Sequence, residues 1–339
     1  MIRIKIRCLL IATAMVSSTV CAAIPELSYQ GEKTSLWQIP WPDNQLQTVS
    51  ATRWIQVTET PTVLEGPAFD RAGNLFFTDV FHGEIIRADK NRQLKTIFIS
   101  KAIKPSAIAI HKNGRIYIAG VYTHGNGGTI FSFNADGTDP QTVFSADKGY
   151  LPNDMVFDKN GGIYFTDARG NSGNPEGGVY YVSPDQRTIT PVLQHLSGGN
   201  GIALSPDGKT LWVIEFSAGV LHRLNMKDAT HIEPFGETVA YRFNSPAPDS
   251  MKVDNDGNLY VALHGQGRVI VLNRNAIPVG QITIPGRESG DFLRTSNVAF
   301  RPGTREIYIL SASEPARNTG AAIFTAMGFA KALPLYSQQ

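Results

Sequence analysis

Thiols are nearly missing from this chain. It holds two cysteines, Cys8 and Cys21, both close to its beginning. Downstream of them no disulfide, thiolate nucleophile or Cys-ligated metal is available. Charge of one sign is also missing. Lys and Arg number 31 against 29 Asp and Glu, so no basic stripe argues for nucleic acid. The one long apolar stretch, at the start, is too short to span a bilayer comfortably, and no other apolar run argues for a membrane. No segment keeps a helical period for three turns, which excludes a helical bundle. No GxSxG elbow is present, so a serine hydrolase is disfavoured. Residues 125–128 are glycine-rich but lack a strand–glycine–helix context, so they do not form a phosphate cradle. His82, His124, His195, His222 and His264 show no metal-ligand spacing; His124 and His264 read as surface or packed residues, with a place near the tunnel mouth as the alternative.

The opening stretch has the form of an export signal. Arg3, Lys5 and Arg7 precede an apolar run over residues 9–16, and Val20-Cys21-Ala22 is a small-residue cleavage site. We therefore expect residues 1–23 to be a cleaved signal peptide, with an uncleaved anchor as the alternative. Both cysteines leave with it, and the formal charge falls from +2 to −1. An exported chain without disulfides fits a bacterial periplasm or the exterior, with stability supplied by burial. Residues 24–50 carry Pro25, Pro40, Pro42, Trp37 and Trp41 and read as an irregular arm. Residues 51–339 read as one domain, expected to be a monomer.

What is present is a repeat. Residues 151–169, LPNDMVFDKNGGIYFTDAR, hold an oxygen-bearing side chain, a short apolar run, a glycine turn and a strand-like run. The pattern occurs six times, with turn glycines at Gly73, Gly114, Gly161, Gly208, Gly257 and Gly303. A period of this length marks a propeller or an array. Each unit yields four short strands rich in Ile, Val, Tyr, Phe and Thr, bounded by Gly, Asp, Asn and Pro. The third gives MVFD, GIYFTD, GVYYVS and ITPVLQ, and the sixth VAF, EIYILS, AIFTAM and LPLYS. The expected fold is an all-β, six-bladed β-propeller with four antiparallel strands per blade. A two-sheet sandwich is the alternative, but it needs no six equivalent registers. Ring closure requires an early strand, residues 52–57, to pair into the last blade beside residues 322–327.

One register point carries chemistry. Four residues before the last apolar residue of each run stand Glu65, Ser106, Asn153, Asn200, Asp249 and Ser296. All carry oxygen. Equivalent positions of innermost strands converge on a propeller's axis, so the expected site is a central, all-oxygen metal pocket. It suits Ca²⁺ better than a metal that favours His and Cys, although Mg²⁺, Mn²⁺ or Zn²⁺ are alternatives. Asp79 and Asp167, which follow Phe-Thr in equivalent strands, read as structural hydrogen-bonders between blades. Asp158, Asp254 and Asp256 sit in turns, where local bonding favours Asp.

The segments EGPAFDRAGNLFFTD, PNDMVFDKNGGIYFTD, GGNGIALSPDGKTLWV and PDSMKVDNDGNLYVA resemble the signatures of the SMP-30/gluconolactonase/LRE family. The likeness runs from about Leu64 to Ala330. It implies a six-bladed propeller and a divalent-metal lactone hydrolase. Carried over by position, the family's metal ligands fall on Glu65, Asn153, Asn200 and Asp249, with Ser250 an additional donor. The family's acid/base is the aspartate of the PDSM-like motif, here Asp249. Some members carry Asp where Asn153 stands, and related lactonases carry Asn. Paraoxonases, which resemble this family, place a histidine dyad over the metal, whereas the matching position here is Ser106.

The implied reaction is opening of a small cyclic ester by water that the metal helps to polarise, with a small-molecule lactone as the partner. Two alternatives stay open. One is a sugar lactonase acting on aldono- or gluconolactones. The other is a non-catalytic binding propeller in which the metal is only a structural pin.

Overall fold

The protein was analysed as a computed structural model that describes residues 38–125, 127–244 and 247–339. The expected signal peptide, residues 1–23, lies outside the described residues, as does the first part of the arm. No described helix is long and apolar enough to cross a membrane.

Among the described residues, twenty-five strands form six sheets. Blades one to five are read off the chain in order, each an antiparallel meander stepping outward from an innermost strand. Those innermost strands are Leu64–Phe69, Ile103–Ile110, Pro152–Phe157, Gly199–Leu204 and Pro248–Val253, followed in blade six by Arg294–Phe300. Each inner strand lies against the inner strands on either side, and the last lies against the first, so the six form a closed ring. The predicted fold is therefore the observed one.

Closure occurs as expected. Thr52–Thr58 pairs antiparallel with Ala321–Met327, Arg53 facing Phe324 and Gln56 facing Ala322, and completes blade six. The LPLYS segment, expected as the sixth unit's fourth strand, is not a strand. That place is already filled by the early strand. The tail instead ends in a short 3-10 turn, Tyr336–Gln338, with the Tyr336 ring 4.9 Å from His111 and 5.4 Å from Phe157. It crosses the ends of the inner strands, tied by Ala332 N–H to Thr304 O at 2.7 Å and Asn255 N–H to Lys331 O at 2.9 Å. Together with Phe69, Ile110, Phe157, Leu204, Val253 and Phe300, it lines a cavity of about 510 Å³ at that end of the ring.

The arm is less irregular than its prolines suggest. Trp41–Gln45 forms a 3-10 turn, and Gln47–Ser50 adds a fifth strand to blade five, parallel to Pro278–Thr283. A buried ion pair fixes it. Asp43 accepts from the Arg268 guanidinium at 2.7 Å, and both side chains are almost fully buried. Gln266 and Gln281 each accept from Arg268 at 2.8 Å, so the burial leaves little of this guanidinium unsatisfied.

The core follows from the layering. A middle strand of a blade is covered on both faces by neighbouring blades, so it needs apolar side chains on both. Leu75–Asp79, Ile163–Asp167 and Leu259–Leu263 are buried along their whole lengths. Outermost strands such as Leu94–Ile99 are mostly exposed. The buried apolar side chains gather into six clusters, each between two adjacent blades. Each fully buried Phe or Ile in them contributes roughly 1.5–3 kcal/mol. The turn glycines work as read: all six have positive φ, from 67° at Gly208 to 89° at Gly161.

Candidate metal and catalytic site

All six register residues lie on the innermost strands. Each strand breaks its pairing register at or just after that point, between Glu65 and Ala68, Pro105 and Ala107, Pro152 and Met155, Gly199 and Ile202, Pro248 and Met251, and Thr295 and Asn297. A bulge re-aims side chains and leaves them off the ladder. Backbones approach closely there. A Cβ on Gly66 would lie 2.6 Å from Ile108 N, and one on Gly201 would lie 2.6 Å from Asp249 O.

The six then divide by role. Ser106 Oγ donates to Pro152 O at 3.2 Å and to Ala119 O at 3.3 Å, and Ser296 Oγ donates to Leu64 O at 2.5 Å. These hydroxyls bolt blade two to three and blade six to one. Glu65, Asn153, Asn200 and Asp249 remain.

Glu65 and Asp249 are brought together. Burial raises the proton affinity of both carboxyls, and each is raised further by a neighbouring carboxylate. Glu65 is pushed up to about 8, chiefly by burial, against hydrogen bonds from Asn297 Nδ2 at 3.1 Å and Gly66 N–H at 3.3 Å. Asp249 lies well above the usual carboxylate range, first through burial and then through the charge of Glu65. The Asn200 side chain hydrogen-bonds the Asp249 carboxylate. Its own Oδ1 is buried with no hydrogen-bond partner. Thr166 Oγ1 fixes the Asn200 backbone by donating to its carbonyl at 2.6 Å. Asn153 is half-buried on the strand between those of Ser106 and Asn200, and Ser250 is buried directly after Asp249.

This arrangement fits a hard cation. A half-buried and a buried carboxylate repel each other, and a buried amide oxygen lacks a donor. A cation between them would relieve both defects. Among the described residues no group of three or more His, Cys, Asp and Glu side chains could hold a metal. Any such ion would therefore take amide and hydroxyl oxygens alongside the two carboxylates, which is the ligand chemistry of Ca²⁺ rather than of soft metals.

Several residues at the site were not singled out from the sequence. Asp154, next to Asn153, is buried, and its charge reaches both Glu65 and Asp249. It accepts from Met155 N–H at 2.8 Å and lies 3.7 Å from Lys252 Nζ. Asn297, the donor to Glu65, is fully buried. Arg294 begins the inner strand of blade six, and its charge acts on Asp249. His264, read as surface or packed, is half-buried, with its ring 3.3 Å from Arg294 Nε. Burial and the Arg294 charge lower its proton affinity to about 4.

Asp79 and Asp167 are structural, but they act within a blade rather than between blades. Asp79 accepts from Thr62 Oγ1 and lies 2.9 Å from His82 Nδ1, and Asp167 accepts from Leu151 N–H at 3.0 Å. The preceding threonines make the links between blades: Thr78 Oγ1 donates to Pro105 O at 3.0 Å, and Thr166 to Asn200 O.

Comparison with known proteins adds four findings. The profile of the SMP-30/Gluconolactonase/LRE-like region matches residues 63–313. Lactonase drp35 of Staphylococcus aureus (strain N315) is 44% identical over 312 residues, spanning 91% of this chain and 96% of that protein. Among solved structures, a luciferin-regenerating enzyme has a TM-score of 0.68 at 19% identity, covering 83% of this chain and 98% of that one. Regucalcin from Agrobacterium tumefaciens, described as a calcium-binding protein, gives 0.68 at 18% identity, covering 85% and 98%. At such identities the two structures speak for the fold alone.

Proposed function

The chain belongs to the SMP-30/gluconolactonase/LRE-like family, and from that membership we propose that it is a lactone hydrolase dependent on a divalent cation, Ca²⁺ foremost. The observation that carries the reading is the coupled pair Glu65–Asp249 beside the unpartnered Asn200 oxygen. The 44% identity to a staphylococcal lactonase supports the substrate class.

Glu65, Asn153, Asn200 and Asp249 would hold the cation, with Ser250 a further donor. Bound there, a divalent ion supplies Lewis acidity toward a carbonyl and positive charge to offset a developing oxyanion. The residues of the chain do the rest. Asp249 takes a proton from the attacking water and delivers it to the ring oxygen as the acyl C–O bond breaks. Asn200 orients the Asp249 carboxylate through its hydrogen bond. Asn297 does the same for Glu65 through its amide N–H. The tail that crosses the opposite end of the inner strands leaves the strand starts, where Arg294 and His264 stand, as the substrate side.

The test is hydrolysis of a panel of small aliphatic, aromatic and sugar lactones with and without chelator. Asp249→Asn and Glu65→Gln should each cost on the order of 10²–10³ in chelator-sensitive kcat/KM while the fold persists. Full activity in both variants ends the mechanism. Calcium binding with no hydrolysis anywhere in the panel favours a non-catalytic propeller instead. We further propose that the protein works outside the cytoplasm, on the strength of residues 1–23.

A further inference from the structure

The mouth of the site holds a cation that opening a neutral ring does not require. Arg294 begins its strand on the substrate side, and its side chain is only 16% exposed. Its Nε lies 3.3 Å from His264 Nε2, and Glu314 Oε1 stands 4.0 Å away on the exposed side. The terminal nitrogens of this guanidinium make no hydrogen bond to any described residue. Its Cζ sits 5.9 Å from the ring centre of Phe81, a side chain 48% exposed. The His264 ring stands 6.5 Å from Phe216, so aromatic rings flank the pair. Arg294 stands two residues before Ser296, the register residue of the same innermost strand, which places it at the end of the ring where that strand begins rather than on a remote surface.

A guanidinium anchored by one nitrogen and open at the other two presents parallel donors. That geometry matches a carboxylate. Balancing the acidic pair would need only a nearby positive charge, and Lys252 already supplies one to Glu65. His264 remains uncharged throughout the neutral range, so its Nε2 can accept from Arg294 Nε and occupies that nitrogen alone.

We propose that the preferred substrates are lactones bearing a carboxylate substituent, gripped by the free fork of Arg294. The proposal rests on the lactone-hydrolase reading and names the substrate class of that same site. The carboxylate takes no part in bond breaking. It anchors the ring while water adds to the acyl carbon and the ring oxygen leaves with a proton. The opened product is a hydroxy dicarboxylate.

The experiment compares 5-oxotetrahydrofuran-2-carboxylate with uncharged γ-valerolactone, in the wild-type protein and in Arg294→Gln and Arg294→Lys. Wild type should prefer the charged lactone in kcat/KM by about tenfold or more, the value of a bidentate charge-assisted contact. In Arg294→Gln the ratio should fall to about one, with the loss in KM. Arg294→Lys keeps the charge without the fork and should lie between. Calorimetric binding of 2-hydroxyglutarate, the opened product, gives a readout independent of turnover and should weaken about tenfold in Arg294→Gln. Equal wild-type rates on the two lactones overturn the proposal, as does a loss in Arg294→Gln common to both that preserves the ratio. If wild type hydrolyses neither, the lactonase reading falls and binding alone decides. Arg294-dependent uptake of 2-hydroxyglutarate then supports the anionic site, and equal uptake by wild type and Arg294→Gln refutes it.

Discussion

Replacing Glu65 by Gln should make the metal-free protein more stable at alkaline pH, although the residue belongs to the proposed metal site. The folded chain holds the Glu65 proton up to about pH 8, against 4.5 for a free side chain. The folded state therefore binds more protons than the unfolded state between these values. The resulting stability is complete below about pH 4.5 and is lost as pH rises through 8. Each pH unit is worth about 1.4 kcal/mol, so the gap from 4.5 to about 8 amounts to about 5 kcal/mol. Asp249 shares that proton uptake, and the two carboxyls titrate as one system. Gln cannot ionise and still accepts from Asn297. Urea unfolding in chelator at pH 5, 6.5 and 8 reads the effect. The two proteins should be close at pH 5, and Glu65→Gln should exceed wild type by a few kcal/mol at pH 8. Saturating Ca²⁺ should narrow that margin. At a hundredfold excess over Kd it stabilises wild type by about 2.7 kcal/mol and the variant by much less. A wild-type curve that is flat from pH 5 to 8 in chelator, or a variant no more stable at pH 8, refutes the reasoning.

Two further outcomes are expected. Asp43→Ala leaves the Arg268 guanidinium buried beside two glutamines and no anion, and should cost about 3–5 kcal/mol in urea unfolding; adding Arg268→Met should recover much of the loss. Expression of the full chain in a Gram-negative host should give a mature protein whose N-terminal sequencing begins at Ala23 or Ile24, and recovery of an intact Met1 terminus would remove the export reading.

How far residues alone led can be judged strand by strand. The propeller was legible because turn glycines recur with a strand-like run on each side, and helical periodicity never competes. The fate of LPLYS was not legible. An apolar pentapeptide reads the same whether it pairs in a sheet or caps the end of a ring, and only the prior claim of Thr52–Thr58 on blade six decides. At the site, a count along the chain found the oxygen-bearing register because equivalent positions recur. It passed over Asp154 and Asn297, one residue further on. Strict alternation would turn those away from the axis, but a bulge at each register point lets consecutive residues serve one centre. Lys252 and Arg294 had no repeated counterpart to draw the eye, and their roles come from what the closed ring sets beside them.

The clasp between the two ends of the chain has a temporal consequence. Thr52 and Thr325 share a contact across 273 residues of sequence. At synthesis rates of about 5–20 residues per second, the early strand waits on the order of 15–55 s for its partner. Throughout that interval the nascent polypeptide is an open arc with an unpaired edge. Any event that needs a threadable chain, passage through a translocation channel included, has that window in which to occur before the annulus locks.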